Sequence, residues 1–290
     1  MRAFKVFAVF MVVVFLATMQ LAMAGPPNVT GGPLKKADEM KTAEELGLKR
    51  LDSRRADAPW IMDWYGPDGG YMDNGGFAVS APIDLIAEGS GGKLTQVELS
   101  TMAGLLKTKT VMLEGWGDHL MVKATPPAKG DWRVLSLGRG PADEGGRNMS
   151  SRYGLPCQNN FDTYQIIVIN APSKMKAVMS PAQDDHAQIW INGEKWFNDS
   201  VWTGHPTDVD FDVEVTLEKG GNVLLYRCGE SGGHDYANLH LDDATMGKVE
   251  IYPKAGQSKA AFLGDIGDLG TAVSPRDRVS SVWGDIKSEY

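Results

Sequence analysis

Along residues 210–217, apolar and polar side chains alternate without a break. Phe211, Val213, Val215 and Leu217 form one set, and Asp210, Asp212, Glu214 and Thr216 the other. A period of two places the sets on opposite faces of an extended strand, one dry and one wet. Lys219-Gly220-Gly221-Asn222 then predicts a turn, with a buried strand returning over 223–228. Upstream, "AQIWINGEKWF" (187–197) reads as a hairpin, because Asn192-Gly193 supplies the two positive-φ positions that a type I′ turn needs. "DTYQIIVINAP" (162–172) is a strand rich in β-branched residues, and "MKAVMS" (175–180) alternates. "ANLHL" (237–241) and "KVEIY" (248–252) close the set. Short strands separated by turn signals predict an all-β fold, an antiparallel sandwich of the jelly-roll kind.

The preceding region is less regular. Residues 58–83 read as strand, loop and strand, broken by glycine pairs, and "KLTQVELSTMAGLL" (93–106) as a strand followed by a short helix. Strands are expected over 110–116, 119–127 and 130–138, with a long glycine-rich loop over 138–151. A sandwich needs more strands than 157–252 provides, so 57–252 is taken as one sandwich with long insertions. A small separate β domain is the alternative. Residues 25–56 are a Gly/Pro linker and then a surface helix or arm. In the 253–290 tail, "FLGDIGDLGTAV" (262–273) reads as loop. A helix follows over 274–288, with Ser274 at the N-cap, Pro275 at the first position and Val279, Val282, Trp283 and Ile286 on one face.

Residues 1–24 change the picture of location. Arg2 and Lys5 precede an apolar run, and Ala22-Met23-Ala24 forms a small-x-small cleavage site ahead of Gly25. This is the secretory signal pattern, so a secreted or periplasmic protein is expected, with no membrane span after removal. The signal carries two positive charges and no negative ones, so its loss moves the formal charge from −8 to −10. That acidity argues against nucleic acid and anionic membrane as partners. The two cysteines, Cys157 and Cys228, both lie in the exported part, where a disulfide between them is expected.

The candidate chemistry lies in "SPAQDDHAQIWINGEKWF" and "VTLEKGGNVLLYRCGESGGHDYANLHL". The Asp pair before a strand, the W-x-NG hairpin and the "GESGG" loop before the last strand resemble the end of a PA14-like or galactose-binding-like β-sandwich of secreted bacterial proteins. The resemblance covers about 157–252. It implies a Ca²⁺ site at Asp184 and Asp185, where the sugar-binding branch of PA14-like domains holds calcium and, through it, sugar hydroxyls. Calcium takes roughly six to eight oxygens, so Asn198, Asp199, Asp208 and Asp210 in the following loop are candidate additional donors. His186 stands where the family usually has glycine, a side chain expected to narrow the site. The plain alternative is an Asx-type turn in which the carboxylates only accept backbone N–H groups.

Sugars stack on exposed aromatic faces. Trp196 and Trp202 flank the polar loop "FNDSVWTGHPTD", with His205 and Asn198 as polar partners and Trp202 as the better candidate. The histidines show no zinc spacing. Gly229-Glu230-Ser231-Gly232-Gly233 has the spacing of a nucleophile elbow, but a strand rather than a helix follows it, so it reads as a hairpin loop. The expected function is a non-catalytic, carbohydrate- or extracellular-polymer-binding sandwich with Ca²⁺ as candidate cofactor. A structural adhesion or assembly module and a glycan-acting hydrolase are the alternatives.

Overall fold

The computed structural model describes residues 33–34, 51–68, 71–111, 123–125, 131–137, 140–142, 145–152 and 159–271. The expected export signal, Cys157, the helix expected over 274–288 and most of the strand expected over 110–116 lie outside the described residues.

Two antiparallel sheets face each other. The larger runs β5 (Asp131–Ser136), β2 (Asp63–Asp68), β6 (Phe161–Ala171), β12 (Gly220–Glu230), β8 (His186–Ile191), β9 (Glu194–Asp199), with β14 (Glu250–Tyr252) also on β6. The smaller runs β11 (Val213–Leu217), β7 (Met175–Asp184), β13 (Tyr236–Leu241). Between them lies the core of an all-β sandwich. Ile167, Ile169, Ile189, Leu224 and Tyr226 of the large sheet meet Met179, Val213, Val215, Leu239 and Leu241 of the small one. The strands β2 and β5 pair with each other, and Tyr65 of β2 pairs with Ile166 of β6, so residues before 157 extend the same sheet.

The outer face of the large sheet is buried as well. Helices α2 (Leu85–Gly89), α4 (Met102–Lys107) and α7 (Lys259–Thr271) cover Tyr65, Tyr164, Ile166, Val168 and Leu225. This second layer explains why β6, β8 and β12 are buried along nearly their whole length, whereas β11, wet on one side, alternates. Among the described residues, no helix is long and apolar enough to cross a membrane.

Several local expectations change. The segment 262–273, expected as loop, lies largely within α7, because Phe262, Leu263 and Ile266 share a face buried against the sheet. That burial outweighs roughly 1 kcal/mol of lost helix propensity per glycine. The strand expected near 96 is instead the helix α3 (Gln96–Leu99), started by a capping box between Thr95 and Glu98. Residues 77–80, expected as strand, form the single helical turn α1 (Phe77–Ser80), and the loop over 138–151 ends in α5 (Asn148–Arg152). The polar set of residues 210–217 is not all wet, because Asp210 and Asp212, just before β11, are buried. Asp212 is buried and receives a bidentate Arg55 at 2.8 Å on both oxygens, which ties residues 53–55 across the small sheet.

Candidate functional site: an acid cluster at one end of the sandwich

Strand β12 sends Leu224, Tyr226 and Cys228 into the space between the sheets. The same period of two carries Glu230 to that face, opposite buried Phe161 in the register. At this end β7 finishes on Asp184, and Asp185 leads into β8 across a cis peptide bond between the two aspartates. The Asp185 N–H donates to the Gly229 carbonyl at 2.9 Å, which brings the acidic pair against the end of β12. One carboxylate oxygen from each of Asp184, Asp185 and Glu230 lies within 4.8 Å of the other two.

The protein supplies little to balance this charge. Glu230 has 0% exposure, and among the described residues no donor stands in hydrogen-bond geometry to either carboxylate oxygen, although the Gly232 backbone N–H nearby acts to hold its pKa down. Burial first, then the charges of Asp185 and Asp184, push its pKa up to about 9. Asp184, also buried, is pushed up to about 8 by desolvation and by Asp185 beside it. Asp185 is partly exposed and accepts the Ser231 N–H at 3.0 Å. Two buried carboxylates and a half-buried one, with the Glu230 oxygens lacking a donor in hydrogen-bond geometry and no basic side chain among the described residues paired with them, fit a hard, oxygen-loving cation such as Ca²⁺. Three carboxylates would supply about three to six of the roughly six to eight oxygens calcium takes.

The other candidate ligands are elsewhere. Asp199 is buried and shapes its own loop, its oxygens accepting from Val201 N–H (3.2 Å) and Gln183 Nε2 (3.1 Å). Asp208 pairs with Arg54 at 3.1 Å, and Asp210 is buried beside β10 (Asp208–Val209). Asn198 meets His186 Nε2 at 3.0 Å. His186 does not narrow the acid cluster: it is buried between Asn198 and the Phe77 ring, and burial lowers its pKa to about 4.

Of the aromatics, Trp196 is 7% exposed and belongs to the inter-sheet core, so it offers no face to a ligand. Trp202 is 49% exposed. Its neighbour Thr203 donates its N–H to the Gln183 carbonyl at 2.9 Å and shares a hydroxyl contact of 3.3 Å with Tyr236, which pairs with Asp184. The Trp202 loop is therefore stitched to the strand end that carries the acid cluster. His205 turns back on Thr207 at 3.0 Å within that loop. Cys228 is a free, buried thiol, donating weakly to the carbonyls of Asp184 and Tyr236, so the expected bridge to Cys157 is not formed.

Glu230 escaped the reading of "GESGG" as a turn. Its signal was available: it continues the inward register of Leu224, Tyr226 and Cys228, and a carboxylate at an inward position needs a reason.

No protein-family model and no curated protein matches the chain. Solved structures similar to it include a family 35 carbohydrate-binding module from an environmental isolate, 14% identical with a TM-score of 0.25, covering 36% of this chain and 78% of that one. The PA14 sugar-binding domain from an RTX adhesin is 15% identical with a TM-score of 0.27, covering 47% and 76%. The PA14 domain of the antifreeze protein MpAFP is 12% identical with a TM-score of 0.26, covering 46% and 72%. At these scores the likeness carries no argument, and the site stands on its own geometry.

Proposed function

We propose that this is an exported, non-catalytic sandwich that binds a carbohydrate or another hydroxyl-rich extracellular polymer through a calcium ion held by Asp184, Asp185 and Glu230. The observation that carries the reading is Glu230: a fully buried carboxylate, with no donor in hydrogen-bond geometry to either oxygen among the described residues, facing two further carboxylates. Such a group is costly to bury alone, and a divalent cation offsets that cost directly. When bound, the ion supplies a positive centre on which vicinal hydroxyls displace water. The chain's own residues hold the carboxylates in place, and Trp202 offers an apolar face on a loop tied to the same strand end.

Calorimetric titration of the purified protein with CaCl₂ tests the cation, and retention on a panel of insoluble polysaccharides tests the polymer. Saturable calcium binding that is lost in Glu230→Gln, with calcium-dependent retention lost in Trp202→Ala, is the expected result. A flat titration of the wild type overturns the cation site. Retention that ignores both calcium and Trp202 overturns the polymer reading.

A further inference from the structure

A strap from Asn74 to Ser80 runs beside the acid cluster and is nailed down at both ends by one buried ion pair. Asn74 Nδ2 and Ser80 Oγ each donate to Asp162 Oδ1 at 2.7 Å. Arg227, itself on Asp162 at 2.6 Å, donates to the Ser80 and Ile83 carbonyls at 2.7 Å. The middle of the strap is tied toward the site differently. The Phe77 N–H donates to Ser231 Oγ at 3.2 Å, while the Ser231 N–H donates to Asp185 Oδ2 at 3.0 Å. One residue thus joins the strap to a carboxylate of the cluster.

The fit around this link is close. Gly76 has φ +89, and a Cβ there would stand 3.0 Å from both Ser231 Oγ and Asn160 Oδ1. A Cβ on Gly229 would stand 3.0 Å from Phe77 Cβ, so the strap also packs directly on the strand residue before Glu230. Ser231 is half-buried and each of its two groups has one job, hydroxyl to the strap and amide to the carboxylate.

We propose that Ser231 is a positioning residue for the cation site: anchored by the strap through its hydroxyl, it orients the Asp185 carboxylate, so that cation binding and strap order reinforce each other. This rests on the cluster being a cation site. Groups that orient metal ligands from behind raise affinity by restricting the free site, and a single neutral hydrogen bond accounts for roughly a three- to tenfold effect.

The experiment uses the full chain and calcium alone, reading affinity by calorimetry and amide exchange at Phe77 by mass spectrometry. In the wild type calcium should slow exchange at Phe77. Ser231→Ala should bind calcium roughly three- to tenfold more weakly and lose that protection, with Ser231→Thr restoring both. Gly76→Ala, whose Cβ would strain the positive-φ backbone of the strap and press on Ser231 Oγ, should weaken calcium in the same sense. Unchanged calcium affinity in Ser231→Ala, or Phe77 exchange indifferent to calcium, overturns the coupling and leaves the cation site standing. Equal losses of melting temperature with and without calcium mark Ser231 as purely structural and also overturn it. A wild type that binds no calcium removes the cation site itself, and the coupling with it.

Discussion

Strand β12 carries two buried ionisable groups three residues apart that live in opposite circumstances. Arg227 lies on the outer face of the large sheet, with Asp162 at 2.6 Å and two carbonyls at 2.7 Å. Glu230 lies toward the inner face with two more carboxylates near it and, among the described residues, no donor in hydrogen-bond geometry to either oxygen. Both sites remove charge from water. The first is completed by the chain itself, down to the donors on Asn74 and Ser80. The second lacks such donors among the described residues, which is the gap the proposed cation would fill. A buried ionisable group with its hydrogen bonds filled is architecture, and one left open asks for an explanation, for which a cation is the one proposed.

The largest test of that contrast is Arg227→Met. It strands Asp162 without its cation and frees two carbonyls, and a loss of about 3–5 kcal/mol is expected for breaking one partner of a buried pair. Urea unfolding should show it with or without calcium. Calcium should act only at the open site. At about 100 times Kd it adds about 2.7 kcal/mol to the folded state, so the melting temperature should fall in EDTA. In Glu230→Gln the protein should be indifferent to EDTA.

pH separates the two sites next. The values of about 8 for Asp184 and about 9 for Glu230 lie above those of an unfolded chain, near 4. The folded, metal-free cluster therefore holds protons that the unfolded chain has released, and stability falls as pH rises from about 4 to about 9. His186, lowered to about 4, acts in the opposite sense only below about 6.5. Melting in EDTA should thus decline between about pH 7 and about pH 9, and calcium should flatten the decline. The smallest effect on stability is expected for Trp202→Ala, within about 0.5 kcal/mol because the side chain is half in water. Trp196→Ala, in the core, should cost about 3–5 kcal/mol. Chemical denaturation of the two variants side by side checks the assignment of their roles.

The legibility of the site followed the same division. Asp184 and Asp185 stand out because two adjacent acids before a hairpin break the local pattern. Glu230 is 45 residues further on and joins them only through the pairing of β8 with β12, which sets His186 opposite Gly229. Asp199 and Asp208 were close in sequence and acidic, yet each found a private partner in its own loop or in Arg54. Nearness along the chain proved a poor guide to which carboxylates converge.

The residues by themselves determined the sandwich: the period of two over 210–217, the Asn192-Gly193 turn with φ of 52° and 88°, and the β-branched runs that pair as β6 and β12. These are local signals, fixed by sterics and by which face can be wetted. Only the tertiary structure decided that the large sheet is covered on both faces, that Trp196 is buried and Trp202 is not, and that Cys228 stays a thiol. It alone brought Glu230 to the aspartates and the strap to Ser231. Those outcomes depend on contacts between residues tens to more than a hundred positions apart, and burial, desolvation and the balance of charge exist only once such residues have met.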